Sequence, residues 1–142
     1  MEQDIQFNIH EPALNPAELN DLYTQVGWNN SGQRTTDKTS KMLDASPLYI
    51  TARAGTQLVG FGRLLSDAYV GQLLDIITHP EYRQRGIARR VTWLLLANLP
   101  EGLLGVSLID GSGYPQFYES LGFETAEHET NRLMYLRTEP QV

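Results

Sequence analysis

The stretch LLDIITHPEYRQRGIARRVTWLLL, residues 73–96, decides the reading of the fold. Leu73, Leu74, Ile76 and Ile77 form a short apolar run, interrupted by Asp75 and closed by His79-Pro80. Such a run suits an inner strand that stops near Thr78, because proline has no N–H with which to extend a ladder. Val91, Leu94 and Leu95 begin an apolar stripe at helical spacing,. Between the two lies a basic turn, Arg83-Gln84-Arg85-Gly86-Ile87-Ala88, in which Gly86 and Ala88 keep side chains small and let a ligand approach the backbone,. A helix N-terminus carries unpaired N–H groups and partial positive charge. With Arg83, Arg85, Arg89 and Arg90 around it, the turn predicts a polyanionic ligand such as a pyrophosphate,. Neither GxxxxGK(S/T) nor GxGxxG occurs, so the common nucleotide fingerprints do not account for it,. On its own an arginine cluster is more often a solvated helix start, and a second signal has to decide.

That signal lies downstream, in Phe117-Tyr118-Glu119-Ser120-Leu121-Gly122-Phe123. Arg83 to Ala88 matches the (Q/R)-x-x-G-x-(G/A) signature of the GNAT superfamily of N-acetyltransferases, and His79-Pro80-Glu81-Tyr82-Arg83 is similar to its P-E-Y-R lead-in. The later segment resembles that superfamily's F-Y-E-x-x-G-F, in the expected order. The resemblance implies an α/β (α+β) single domain over residues 1–142. Its core would be a mixed, mostly antiparallel twisted sheet of six to seven strands, flanked by about four helices and splayed at the cofactor site.

For function, the resemblance implies transfer of an acetyl group from acetyl-CoA to a primary amine of a small molecule, by direct attack in a ternary complex. The backbone of Arg83, Gln84, Arg85, Gly86, Ile87 and Ala88, with Arg89 beside it, would hold the pyrophosphate. A backbone N–H near Ile76 or Ile77, with Thr78 at the strand end, would polarise the thioester carbonyl. Tyr118 takes the general-acid position, where a phenol can protonate the departing thiolate. Asp75 is a candidate base, but it could equally bind a cationic acceptor or cap a loop. Many members carry an asparagine that contacts the pantetheine arm where this chain has Asp110-Gly111-Ser112-Gly113; Asp110 or Ser112 would have to substitute. Tyr23 and Trp28, on the first helix and the loop after it, would line the acceptor pocket, with core packing the competing role for Tyr23. Two alternatives remain, a non-catalytic acyl-CoA binding or sensor module and a protein or peptide N-acetyltransferase; the retained Tyr118 favours an enzyme.

Composition narrows the partners. With 142 residues the chain is large enough to bury a core without staples,. It has no cysteine, hence no disulfide and no thiolate nucleophile, in keeping with a reducing compartment,. The formal net charge of −6 disfavours nucleic acid as a bulk partner,. No apolar run reaches the ~18 residues of a membrane span, and the polar N-terminus lacks a signal-peptide pattern, so a cytoplasmic protein is expected. His10 and His128 show no metal-ligand spacing, and no metal is expected,. His79, beside Pro80, reads as a turn residue.

Elsewhere, alternation predicts a strand over Ile5–Ile9. Asn15-Pro16-Ala17-Glu18 reads as a helix start that Gly27 ends,. Residues 27–36 are turn-rich and expected to flex, and a loosely held helix should run from Asp37 to Asp44 with Thr36 as its cap. Leu48–Arg53 and Gln57–Leu65 predict a hairpin, with Gly60 and Gly62 calling for something packed close to the second strand. Leu103–Ile109 predicts a buried strand parallel to the central one, followed by a helix over Tyr114–Leu121. Phe123–Thr125 and Arg132–Arg137 predict a last hairpin whose exposed edge makes a homodimer reasonable.

Overall fold

A computed structural model describes residues 4–126, 132–134 and 136–138. It forms two compact units, Met1–Ile109 and Asp110–Val142. The first holds a five-stranded sheet in the order β1 (Ile5–Ile9), β2 (Leu48–Ala54), β3 (Gln57–Ser66), β4 (Val70–Thr78) and β5 (Gly105–Ser107). Neighbours from β1 to β4 are antiparallel, and β4 and β5 are parallel. The parallel pair needs a crossover, and α3 (Ile87–Ala97) provides it,. Two further helices, α1 (Pro16–Gln25) and α2 (Thr36–Ala45), come between β1 and β2. No helix of the described residues is long and apolar enough to cross a membrane.

The first helix starts as its sequence predicts. Asn15 accepts from Ala17 N–H, and Glu18 reaches back to the Asn15 N–H, a reciprocal capping box,. Its buried face, Leu19, Leu22 and Tyr23, packs with Leu43, Leu58, Phe61 and Ile77 into one core. On the other face of the sheet, α3 buries Ile87, Val91 and Leu95 almost completely, each worth about 1.5–3 kcal/mol of hydrophobic stabilisation,. The two glycines of β3 make that approach possible. A Cβ on Gly60 would lie 2.5 Å from Ile87 Cγ2, and one on Gly62 2.6 Å from Val91 Cγ1.

Several expectations need correction. Helix α2 begins one residue early, capped by the Thr35 side chain rather than Thr36, and buries Thr39 and Leu43. The loop before it is tied down: Asn20 Nδ2 donates to Arg34 O, Asn29 Oδ1 accepts from Arg34 N–H, and Asn29 Nδ2 donates to Thr24 Oγ1. Strand β5 is three residues at the edge of the sheet among the described residues, not a buried run, with Leu104 81% exposed. Among the described residues the sheet has five strands, below the expected six to seven. Phe123–Thr125 and the described part of Arg132–Arg137 are irregular, so the expected last hairpin is not seen among the described residues; 127–131 and Tyr135 lie outside them. In the second unit, α4 is Pro115–Glu119, shorter than Tyr114–Leu121, with Tyr114 as its N-cap and Gly122 beyond it at φ 101°.

Candidate active site

The centre of the first unit is a β-bulge in β4. Phe61 pairs with Ile77 and Arg63 with Leu74, so Gly62 alone stands opposite Asp75 and Ile76. Asp75 absorbs the extra residue at φ 55°, a left-handed conformation that aspartate tolerates better than most residues,. Its carboxylate is not loose. Oδ2 accepts from Tyr23 Oη at 2.6 Å and from Arg63 Nε at 2.8 Å, while Oδ1 has no hydrogen-bond partner among the described residues.

The bulge coincides with the place where the sheet opens. Pairing between β4 and β5 covers only Val70 to Gln72, and Leu73 to Thr78 have no strand on that side among the described residues. His79 N–H donates to Val59 O, and backbone N–H groups alternate sides along a strand,. The Ile77 N–H therefore faces β3, while those of Ile76 and Thr78 point to the open edge. Two amide donors line a gap with a carboxylate on the adjoining residue.

Around Asp75 the α1 side is aromatic. Tyr23 is fully buried, and burial, reinforced by the neighbouring Asp75 carboxylate, drives its phenol far above its ordinary range. It acts as a permanent donor to Asp75. Arg34 stacks on the Tyr23 ring with Cζ 3.5 Å from the centroid and gives Nε to Trp28 O at 3.2 Å,. The Trp28 ring is half exposed and 6.4 Å from that of Tyr23, which is itself buried in the core beneath Arg34. Arg34 and Arg63 carried no sequence signal, because each acquires its neighbours only through the fold.

The turn from Arg83 to Ala88 follows a short 3-10 helix, Pro80–Tyr82, in which the His79 side chain accepts from Glu81 N–H. Gln84 at φ 63° and Gly86 at φ 77° reverse the chain into α3. Gly86 is the N-cap and offers no side-chain bond, and no acidic residue sits in the first turn of the helix. Arg83, Arg85 and Arg89 are exposed there, Arg85 lying over Tyr82 at 4.9 Å, while Ile87 anchors the helix start against β3. An uncapped helix start with exposed cations in and beside its first turn is a complement for a phosphate group,.

In the second unit, Asp110 Oδ1 accepts from both the N–H and the Oγ of Ser112, and Ser112 Oγ accepts from Tyr114 N–H. The two residues proposed for a pantetheine contact are thus engaged with each other in one turn. Tyr118 is half-buried between Phe117 and Phe123, with ring centroids at 4.8 and 5.9 Å. Burial first, and the Asp110 charge second, push its phenol above the ordinary value. It holds its proton at neutral pH.

Comparison with known proteins agrees with this architecture. Residues 45–125, more than half of the chain, match the domain family described as acetyltransferase (GNAT) domain. Among solved structures, a GNAT family acetyltransferase of Streptococcus pneumoniae TIGR4 superposes with a TM-score of 0.75 at 24% identity, over 96% of this chain and 100% of that one. A provisionally named acetyltransferase of Deinococcus radiodurans R1 gives 0.76 at 26% identity, over 95% and 89%. The glucosamine-6-phosphate N-acetyltransferase of Arabidopsis thaliana gives 0.67 at 14% identity, over 92% and 99%, a likeness of fold alone. No curated protein matches. With its family match spanning both units and a sheet that opens beside a basic, uncapped helix start, the chain belongs to the GNAT superfamily of acetyltransferases.

Proposed function

We propose that the protein moves an acetyl group from acetyl-CoA to the primary amine of a small molecule, by direct attack in a ternary complex and without a covalent enzyme intermediate. The observation that carries this is the start of α3, where Gly86 leaves the helix uncapped at φ 77° and the exposed Arg83, Arg85 and Arg89 lie in the turn and the first helical turn. Backbone amides from Arg83 to Ala88 bind the pyrophosphate. The side-chain turn of Asp110 and Ser112 is kept for the pantetheine arm.

At the open edge of β4, the Ile76 N–H polarises the thioester carbonyl, with Thr78 one pleat further along. A fixed donor of this kind, aimed where oxyanion charge develops, contributes about 3 kcal/mol. The acceptor arrives as an ammonium. Asp75, through Oδ1, takes one proton from it directly or by way of a water, and the amine nitrogen then bonds to the carbonyl carbon. The C–S bond breaks as the nitrogen gives its second proton to solvent, Tyr118 gives its proton to the leaving thiolate, and solvent restores the phenol and takes the proton held by Asp75. Tyr23 and Arg63 hold Asp75 in place by sharing Oδ2. The whole sequence 1–142 serves as one catalytic domain in this reading.

The test is thiol release from acetyl-CoA across amines, amino acids, polyamines and short peptides, comparing wild type with Tyr118→Phe. Acceptor-stimulated release that falls about 10²-fold or more in the variant is expected, the usual scale for a lost general acid. Cofactor binding with no acceptor-dependent release would point instead to a binding module, and release with peptides alone to a peptide acetyltransferase.

A further inference from the structure

We propose that the acceptor is a short amino acid, its ammonium met by Asp75 and its carboxylate by the Arg34 guanidinium across the Tyr23 ring. The inference rests on the acetyl-transfer reading above and names the substrate class of that site.

Arg34 is held in an unusual way for a loop arginine. Its N–H donates to Asn29 Oδ1, its carbonyl accepts from Asn20 Nδ2, and its Nε donates to Trp28 O. Asn20 is itself buried and accepts from Thr39 Oγ1 at 2.6 Å, which fastens the loop to α1 and α2 together. The guanidinium lies flat on Tyr23, partly buried, and no carboxylate is within ion-pair distance among the described residues. Among the described residues its two terminal nitrogens have no hydrogen-bond partner. A partly buried cation with a planar fork of donors and no counterion is matched to a carboxylate from outside.

The other end of the same ring carries the anion. Tyr23 Oη donates to Asp75 Oδ2, and Oδ1 of that carboxylate has no partner among the described residues. Arg34 Cζ and Asp75 Oδ2 are no more than about 9 Å apart, given the stack, the half-length of the phenol and its hydrogen bond,. At that upper limit, hydrogen bonds of roughly 2.8 Å at both ends restrict a bridging amine and carboxylate to a separation of one or two carbons. Charge points the same way. Asp75, Arg34 and Arg63 act on Tyr23 together, two cations against one anion, although the chain as a whole carries −6. A bare cationic amine would enter against that local excess, whereas a zwitterion brings the missing negative charge.

The experiment uses the full chain with acetyl-CoA and matched probes: alanine, leucine and phenylalanine, each beside its amide and its decarboxylated amine. Thiol release should favour the acids by about 10- to 100-fold in kcat/KM, mostly through KM, as expected for loss of a charge-assisted bidentate contact. Arg34→Gln should erase the preference and Arg34→Lys should keep part of it. Equal or better turnover of amides and bare amines would overturn the inference and leave acetyl transfer standing, as would an Arg34→Gln variant that slows all probes alike. Calorimetric titration of the same probes with coenzyme A present separates the two readings. Carboxylate-dependent binding without thiol release would keep the amino-acid site and sink acetyl transfer, and no binding of any acid would sink the site.

Discussion

Gly62→Ala is the sharpest perturbation the fold allows. The new methyl would sit 2.6 Å from Val91 Cγ1, 3.1 Å from Leu95 Cδ1 and 3.4 Å from Ile76 Cγ1, and no rotation of a methyl relieves the first contact. Val91 and Leu95 are fully buried, so relief requires α3 to move off β3. Overpacking of this kind costs about 2 kcal/mol, within the usual range of 1–3. Val91→Ala alone removes two buried methyl groups and also costs about 2 kcal/mol. In the double variant the added methyl occupies part of the vacated space. The combined loss should then fall at least about 1 kcal/mol short of the sum, a coupling that double-mutant cycles resolve. Equilibrium urea unfolding followed by circular dichroism measures all three. Gly105→Ala is the control, since a Cβ there meets nothing within 4 Å, and it should change stability by no more than about 0.5 kcal/mol,. Gly62→Ala as stable as wild type, or strict additivity with Val91→Ala, would refute the claim that these glycines exist to admit α3.

Three further outcomes follow from the same structure. Arg53 donates to both oxygens of Glu11 and both of Glu18, and Arg53→Met strands the buried Glu11, so a loss of about 3 kcal/mol in urea unfolding at pH 7 is expected,. Arg53 holds the Glu18 carboxyl below its ordinary value near 4.5; that contribution is present above 4.5 and is lost as pH falls through the depressed value, so the gap between wild type and variant should narrow in acid,. Thr51 is fully buried with its Oγ1 unpartnered among the described residues, so Thr51→Val should stabilise by about 1 kcal/mol, and a marked loss would reveal a hidden partner,. Because burial raises the Tyr118 phenol, any alkaline fall in kcat assigned to it should lie above pH about 10 and be absent in Tyr118→Phe; a limb near neutrality would remove Tyr118 as the acid,.

The parts of the fold that were legible in the sequence are those set by neighbours along the chain. The Asn15 capping box, the 48–66 hairpin, the proline stop after Thr78 and the Gly86 turn all depend on residues a few positions apart. Even the closeness of α3 to β3 was foreshadowed, since Gly60 and Gly62 in one strand make sense only beneath a packed element. What stayed hidden depends on pairing across the sheet. The bulge at Asp75 exists because β3 and β4 differ by one residue between two registered pairs, and nothing in either strand alone announces it. Arg63 reaches Asp75 across that register, Arg34 is held over Tyr23 by Asn20 of α1 and Asn29 of its own loop, and Arg53 joins Glu11 to Glu18 across β2 and α1. Leu103–Ile109 is apolar enough for an interior strand, yet only Gly105–Ser107 pair with β4, and no strand lies on their other side among the described residues.

The central claim is that the uncapped start of α3 is where a phosphate-bearing donor binds. Titrating coenzyme A into 15N-labelled protein tests it amide by amide. The account predicts saturable shifts at Arg85, Gly86, Ile87 and Ala88, extending to Ile76 and Thr78 when acetyl-CoA replaces coenzyme A, with Ile5 to Ile9 unmoved. Saturable binding that leaves Gly86 to Ala88 unperturbed, or no binding at millimolar ligand, would contradict it.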